Sequence, residues 1–148
     1  MRSLLTLCVT ILTLMSGLAA ETEFAKPKPA IDNPRKIVFS IDSADKKEVN
    51  HVLSTINNVM KYYRPENTEI VVVAYSQGIK ALLKNGDKEI RTRIEALMTY
   101  DVEFIACGNS MRTLKIDKKA LLDDIGYATA GIVEIIERQL RGFTYIKL

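Results

Sequence analysis

Apolar residues along this chain switch between two spacings, and the switches divide it into short strands and helices. Residues 36–41, Lys-Ile-Val-Phe-Ser-Ile, are a β-prone run that stops at Asp42 and Ser43, where turn and capping chemistry take over. Val49, Val52, Leu53, Ile56, Val59, Met60 and Tyr63 then recur at helical spacing, with Lys47, Asn50, Ser54 and Asn58 on the other side. Arg64-Pro65-Glu66-Asn67 ends that helix. Residues 69–75, Glu-Ile-Val-Val-Val-Ala-Tyr, follow as a run too continuously apolar for a half-exposed strand, which implies a strand covered on both faces.

After a turn at Ser76-Gln77-Gly78, residues 79–83 predict a short helix ended by Asn85-Gly86, and Ile90, Ile94, Leu97 and Met98 predict a longer one. Residues 102–107 predict a third strand, which Gly108-Asn109-Ser110 turns into another helical region. Beyond it the pattern predicts a short helix over 117–123, a brief strand over 125–128, a helix over 131–141 and a last strand over 143–147. Strands alternating with helices predict an α/β fold, a parallel sheet with helices on both faces.

The amino-terminal segment falls outside this alternation. Arg2, the apolar stretch 4–15 and then Ser16, Gly17, Leu18, Ala19 and Ala20 have the charge, apolar core and small-residue order of a secretory signal peptide. A membrane anchor needs about 20 consecutive apolar residues, and this core is shorter, so no stable membrane span is expected once residues 1–20 are removed. Cleavage falls after Ala19 or Ala20. The protein is expected to be exported, with the periplasm as its compartment. Residues 21–35 contain Pro27, Pro29 and Pro34 with Lys26 and Lys28, a composition that predicts an extended, solvated tether. The folded domain is then 36–148.

At 47% hydrophobic and 26% charged the composition is that of a packed globular chain, and 148 residues suit one core. The net charge of +3 falls to +2 without Arg2, too small for the electrostatic footprint of a nucleic-acid binder. Cysteine arithmetic is more informative. Cys8 lies in the leader, so Cys107 is the one cysteine of the mature chain, which therefore has no internal disulfide. An unpaired thiol in an oxidising compartment is either buried or used.

In an open parallel sheet, chemistry gathers beyond the carboxyl ends of the strands. Three turns qualify: Asp42-Ser43, Ser76-Gln77-Gly78 and Cys107-Gly108-Asn109-Ser110. In the last, a thiol at a strand end precedes Gly108, Asn109 and Ser110, where backbone N–H groups at a helix start favour a thiolate. On this reading Cys107 is a partly accessible thiol of lowered pKa. The competing reading is a buried cysteine acting as a small apolar residue. Ser76, Gln77 and Gly78 offer either an anion cradle of backbone amides or an ordinary strand-to-helix turn. His51, the single histidine, falls well away from its helix's apolar stripe and is expected in solvent, leaving Cys107 without a histidine partner. No spacing of ligands suggests a metal, and Cys-x-x-Cys, Gly-x-Ser-x-Gly and Gly-x-Gly-x-x-Gly patterns are absent.

From Lys36 onward these segments resemble the DsrE-like (DsrE/DsrF) family, in particular its small exported members. The resemblance is carried by Leu53-Ser54-Thr55-Ile56-Asn57-Asn58, by the run 70–74 leading into Gly78-Ile79, and most specifically by Val102-Glu103-Phe104 running to Cys107-Gly108-Asn109-Ser110-Met111. Leu121-Leu122, the run 131–136 and the run 142–146 complete it. Such proteins often carry His-Gly where this chain has Tyr75-Ser76, and Pro-Ser where it has Thr129-Ala130.

The resemblance implies a three-layer α/β/α fold with a five-stranded, mainly parallel sheet in the order 4-3-2-1-5. It also implies a homo-oligomer, a trimer or a hexamer, and no cofactor. In sulfur-relay members a cysteine at the end of the third strand carries sulfane sulfur as a persulfide, and Cys107 occupies the matching position. The expectation is therefore a sulfur carrier, or sulfurtransferase-like protein, that exchanges sulfur with a thiol-bearing donor or acceptor protein. Gly108, Asn109 and Ser110 would face the thiolate, with Ser76, Gln77 and Gly78 as a neighbouring wall. A second expectation is a non-enzymatic oligomeric binding protein that takes a small ligand or partner segment, with Cys107 structural.

Overall fold

The computed structural model describes residues 21–148, and the leader reading of residues 1–20 lies outside the described residues. Five parallel strands form one sheet in the order β4-β3-β2-β1-β5, as expected. They are β1 (Arg35–Ile41), β2 (Thr68–Ala74), β3 (Glu103–Cys107), β4 (Gly126–Ala128) and β5 (Thr144–Ile146). Between them run α1 (Lys46–Tyr63), α2 (Lys88–Met98), α3 (Gly108–Leu114) and α4 (Gly131–Leu140). The two longest helices start at aspartates. Asp45 accepts from the amides of Lys47 and Glu48 at 2.8 and 3.1 Å, and Asp87 from those of Glu89 and Ile90 at 2.9 and 3.1 Å.

The unbroken apolar run of β2 has a simple cause. Successive side chains of a strand point to opposite faces, so Ile70, Val72 and Ala74 enter one core while Val71 and Val73 enter another. The first core is large. There Phe39, Phe104 and Ile41 meet Val49, Leu53 and Ile56 of α1, Ile90, Ile94 and Leu97 of α2, and Met111 of α3. The second is small, with Val38, Val71, Val73 and Ile105 packing under Ile135 of α4 and Phe143.

α4 runs against the direction of the strands and is fixed at both ends. Near its carboxyl end Arg138 bonds Glu134 at 2.6 Å and reaches Glu103 at the start of β3 at 2.8 Å, its guanidinium 5.4 Å from the Phe143 ring. Its amino end lies at the opposite end of β3, against Cys107.

Two expected helices take other forms. Residues 76–82 are a 3-10 turn (Ser76–Leu82), and the helix expected over 117–123 shrinks to a 3-10 turn at Lys118–Ala120, capped by Asp117. Long-range pairing is the reason: Leu83 and Leu121 form an antiparallel bridge, with Lys84 N–H donating to Ala120 at 2.9 Å and Leu122 N–H to Leu82 at 2.8 Å. That bridge ends both 3-10 turns, at Leu83 and Leu121. Segment 21–35 is largely exposed but anchored. Phe24 lies against Tyr63 with ring centroids 5.1 Å apart, Ala30 pairs with Asn33, and the Arg35 guanidinium donates to the carbonyls of Ala25 and Pro27 at 2.7 and 3.0 Å.

Gly78 shows why the turn after β2 requires a glycine. It is buried beneath the end of β1, and a Cβ there would overlap the Ile41 carbonyl and stand 2.9 Å from the Asp42 nitrogen. Backbone on the facing strand has little room to yield. Gly78→Ala is therefore expected to destabilise the domain by about 3 kcal/mol or more, as overpacking against main chain does. Urea denaturation of the variant beside wild type measures it, and a loss below about 1 kcal/mol contradicts this packing.

Candidate functional site

Because all five strands run the same way, their carboxyl ends share one edge of the sheet. Along it lie Tyr127 and Ala128 at the end of β4, Cys107 ending β3, Tyr75 after β2, Asp42 after β1 and Lys147 after β5. Cys107 pairs in register with Ala128, so the turn from β4 into α4 rises directly beside the thiol. The Gly131 N–H at the start of α4 donates to the Cys107 sulfur at 3.1 Å. A glycine suits this close approach. A Cβ on Gly131 would sit 3.0 Å from Cys107 Cβ, 3.2 Å from Val73 Cγ1 and 3.3 Å from Tyr75 Cβ.

Ser110 and the amides around it complete the surroundings of the sulfur. Burial opposes ionisation of Cys107, but the Ser110 hydroxyl and the amides of Ser110, Gly131 and Asn109 outweigh it and hold the pKa below the ordinary thiol value. These are neutral donors. The Ser76 N–H donates to Ser110 Oγ at 2.7 Å, tying the turn after β2 to the turn after β3. On the other side, the Tyr127 hydroxyl lies so close over Gly108 that any Cβ there would collide with it. The Lys118 ammonium stands 3.5 Å from the Tyr127 ring centroid, and the Asn109 N–H donates to the Thr129 carbonyl at 3.0 Å.

Cys107, Gly108, Asn109, Ser110 and Ser76 thus come together as one constellation. The expected partial accessibility of the thiol does not hold: Cys107 is 4% exposed, because α4 begins directly on top of it. The rest of the Ser76-Gln77-Gly78 turn is otherwise engaged. The Ser76 amide is taken by Ser110 and the Gly78 amide by the Tyr75 carbonyl at 2.9 Å, while Gln77 is exposed. His51 is exposed, as its spacing predicts, and lines a small cleft with Asp42, Ser43 and Glu48 that Cys107 does not share. Among the described residues no cluster of His, Cys, Asp and Glu is arranged to hold a metal, and no helix is long and apolar enough to cross a membrane.

Sequence reasoning about the site missed Gly131, Tyr127 and a polar group at the end of β1. Gly131 was within reach, since with β4 beside β3 the turn Thr129-Ala130-Gly131 must open next to the end of β3. The polar group has no local signature. The Ser40 hydroxyl, 5% exposed, bonds the Tyr145 hydroxyl at 2.9 Å, and Asp42 receives the Tyr75 hydroxyl at 3.5 Å together with the Lys147 ammonium. Lys147 holds the Asp42 carboxyl below its usual range, and burial, with Asp42 nearby, raises the Tyr75 phenol.

Comparison with known proteins agrees with this architecture. The sequence matches the DsrE/DsrF-like family over residues 36–148. Among solved structures it resembles MTH1491, a protein of unknown function from Methanobacterium thermoautotrophicum, at 30% identity and a TM-score of 0.72, covering 77% of this chain and 99% of that one. It also resembles the ychN protein from E. coli, at 18% identity and a TM-score of 0.67 over 77% and 99% of the two chains. BT1422 from Bacteroides thetaiotaomicron, a conserved protein of unknown function, is similar at 17% identity and a TM-score of 0.60 over 76% and 94%. The last two likenesses concern the fold alone. No curated protein matches the sequence.

The electrostatics of Cys107 carry a pH dependence of stability. Folding lowers the thiol pKa from its ordinary value of 9.0, so the thiolate stabilises the native state fully above that value, and the contribution is lost as pH falls through the folded pKa. The stability of wild type relative to Cys107→Ser should therefore rise as pH is raised toward the ordinary thiol value of 9.0, measured by urea denaturation at each pH. A difference that stays flat contradicts a lowered pKa.

Proposed function

The chain belongs to the DsrE/DsrF-like family, which is associated with sulfur relay, and from that premise we propose that Cys107 is a carrier of sulfane sulfur. The observation that supports this most is the Gly131 N–H donating to the Cys107 sulfur at 3.1 Å, which favours a thiolate in a place where burial alone would suppress it. In the proposed step the Cys107 thiolate attacks the outer sulfur of a donor persulfide, R–S–SH. The donor S–S bond breaks, a new S–S bond forms at Cys107, and R–S⁻ departs with the electron pair of the broken bond. Attack by an acceptor thiolate on the outer sulfur reverses the exchange and returns the Cys107 thiolate. No net oxidation occurs and no cofactor takes part. The donor and the acceptor are thiol-bearing proteins, and the proposed setting is the periplasm, reached by way of the leader at residues 1–20.

Self-association belongs to the same proposal. α4 is apolar on two sides: Ile135 faces the small core, while Ile132, Val133, Ile136 and Leu140 are 52, 54, 47 and 77% exposed. An exposed apolar stripe of this kind marks an interaction surface, and a homo-oligomer, a trimer or hexamer, would bury it. Burial of Cys107 favours a second reading, an oligomeric binding protein in which the thiol is structural. The two differ in what a sulfur donor does to the protein.

Incubation with a small persulfide donor, followed by intact mass measurement, should add one sulfur atom to wild type, removable by dithiothreitol, and none to Cys107→Ser. Equal gain in both proteins, or none in wild type, sinks the carrier and favours the binding reading. For the assembly, light scattering of wild type should give three or six times the mature chain mass, and Ile136→Glu should reduce it. A wild-type monomer at micromolar concentration contradicts the proposed oligomer.

A further inference from the structure

We propose that the cleft between the last turn of α1 and the edge strand β5 binds a small organic carboxylate with an apolar body, its charge held by Arg35 and Arg141. The cleft opens near the start of β1, whereas Cys107 ends β3, so this site goes beyond the sulfur-carrier proposal and does not depend on it.

Strand geometry builds the floor. Tyr145 faces the small core under α4, so its neighbours Thr144 and Ile146 face the α1 side, where Ile37 lies in register with Thr144. β5 stands at the edge of the sheet, and Val59 and Tyr63 from the end of α1 form the wall on that face. Ile37 is buried, while Val59, Tyr63 and Ile146 are half-buried and turn apolar surface toward a cavity of about 600 Å³. Small-molecule sites are of this size, about 300–1,000 Å³, and combine apolar walls with a few placed polar groups.

The rim is cationic. Arg35, Lys36 and Arg141 line the cleft and, among the described residues, no acidic one does. Alternation along β1 puts Arg35 on the same face as Ile37, and its guanidinium donates to the carbonyls of Ala25 and Pro27 at 2.7 and 3.0 Å. Carbonyl oxygens orient a guanidinium but leave its charge uncancelled. Arg141 is in a similar state. Its Nε donates to the Glu137 carbonyl at 3.1 Å, and the carboxylate it approaches, Glu134 at 3.8 Å, is bonded more closely to Arg138 at 2.6 Å. Lys36, by contrast, is already paired with Glu69 at 3.4 Å.

Two under-neutralised guanidiniums over an apolar floor match an anion that carries a hydrocarbon body. The guanidinium fork suits a planar carboxylate, and the hydrocarbon displaces water from Ile37, Val59 and Ile146. An inorganic anion would leave that apolar surface wet. An uncharged lipid would leave the arginines unmatched.

Octanoate, octanol and inorganic phosphate, each titrated into folded, isotope-labelled protein and followed by amide resonances, test the site. Octanoate should move the resonances of Ile37, Gly142 and Thr144 in a saturable way, and octanol and phosphate should bind there roughly tenfold more weakly or less, the worth of one hydrogen bond to a charged group. Arg141→Gln, at an exposed position, should weaken octanoate by a similar factor, and Arg35→Gln should do the same. Arg35 also anchors segment 21–35, so Arg141→Gln keeps the test decisive should the Arg35 variant lose that anchor. Cys107→Ser should bind octanoate as wild type does. The proposal is overturned if octanoate moves no resonance of the cleft, if its shifts are confined to the outer stripe of α4, if octanol or phosphate binds the cleft as tightly, or if folded Arg141→Gln binds as wild type does. Octanoate binding without sulfur loading contradicts the carrier alone, and sulfur loading without octanoate binding contradicts this site alone.

Discussion

The contact between Gly131 and Cys107 is the constraint on which the rest of the site depends. At this point the start of α4 reaches the end of β3 so closely that a single added carbon would press on Cys107, Val73 and Tyr75 together. It gives the sulfur an amide donor and removes it from water at the same time. The same parallel geometry that brings every strand's carboxyl end to one edge makes the contact unavoidable, because β4 lies beside β3 and its exit leads straight into α4. The Arg138 pair with Glu103 ties the far end of that helix to the start of β3.

The two faces of the sheet are unequal, and the inequality bears on function. One face is covered by α1, α2 and α3 over a large core, whereas the other has α4 and Phe143 over a small one. α4 therefore sits over the thin layer, covers the thiol with its first residue and presents an outer apolar stripe. In the proposed assembly the helix that shields Cys107 is also the helix that meets a partner copy. Access to the thiol and association would then be governed by one element. The hydrogen bond from the Ser76 N–H to the Ser110 hydroxyl joins the β2 and β3 exits.

Strand order apart, most of the architecture was legible in the chain because periodicity reports burial directly. The β2 run showed that both faces are covered, the α1 stripe gave the buried side and placed His51 in solvent, and Cys107 fell at a strand end as its spacing required. What was not legible depends on partners distant in sequence. The helices expected at 79–83 and 117–123 are 3-10 turns that stop at the Leu83–Leu121 bridge, which no local window contains. Residues 75–78 read as a turn, yet the left-handed Ser76 and the backbone wedge at Gly78 exist because of Ile41 and Ser110. The sequence placed Cys107 correctly but not its exposure, since that is decided by Gly131, 24 residues later.

The central claim is that this buried, donor-surrounded thiol carries sulfur in its own setting. The most direct measurement is the mass of the protein taken from its native cell and kept free of reductant, with the Cys107 peptide isolated by digestion. The account predicts a fraction of that peptide heavier by one sulfur atom and returned to the free thiol by dithiothreitol. A Cys107 peptide found wholly as the unmodified thiol under conditions of active sulfur metabolism would contradict it.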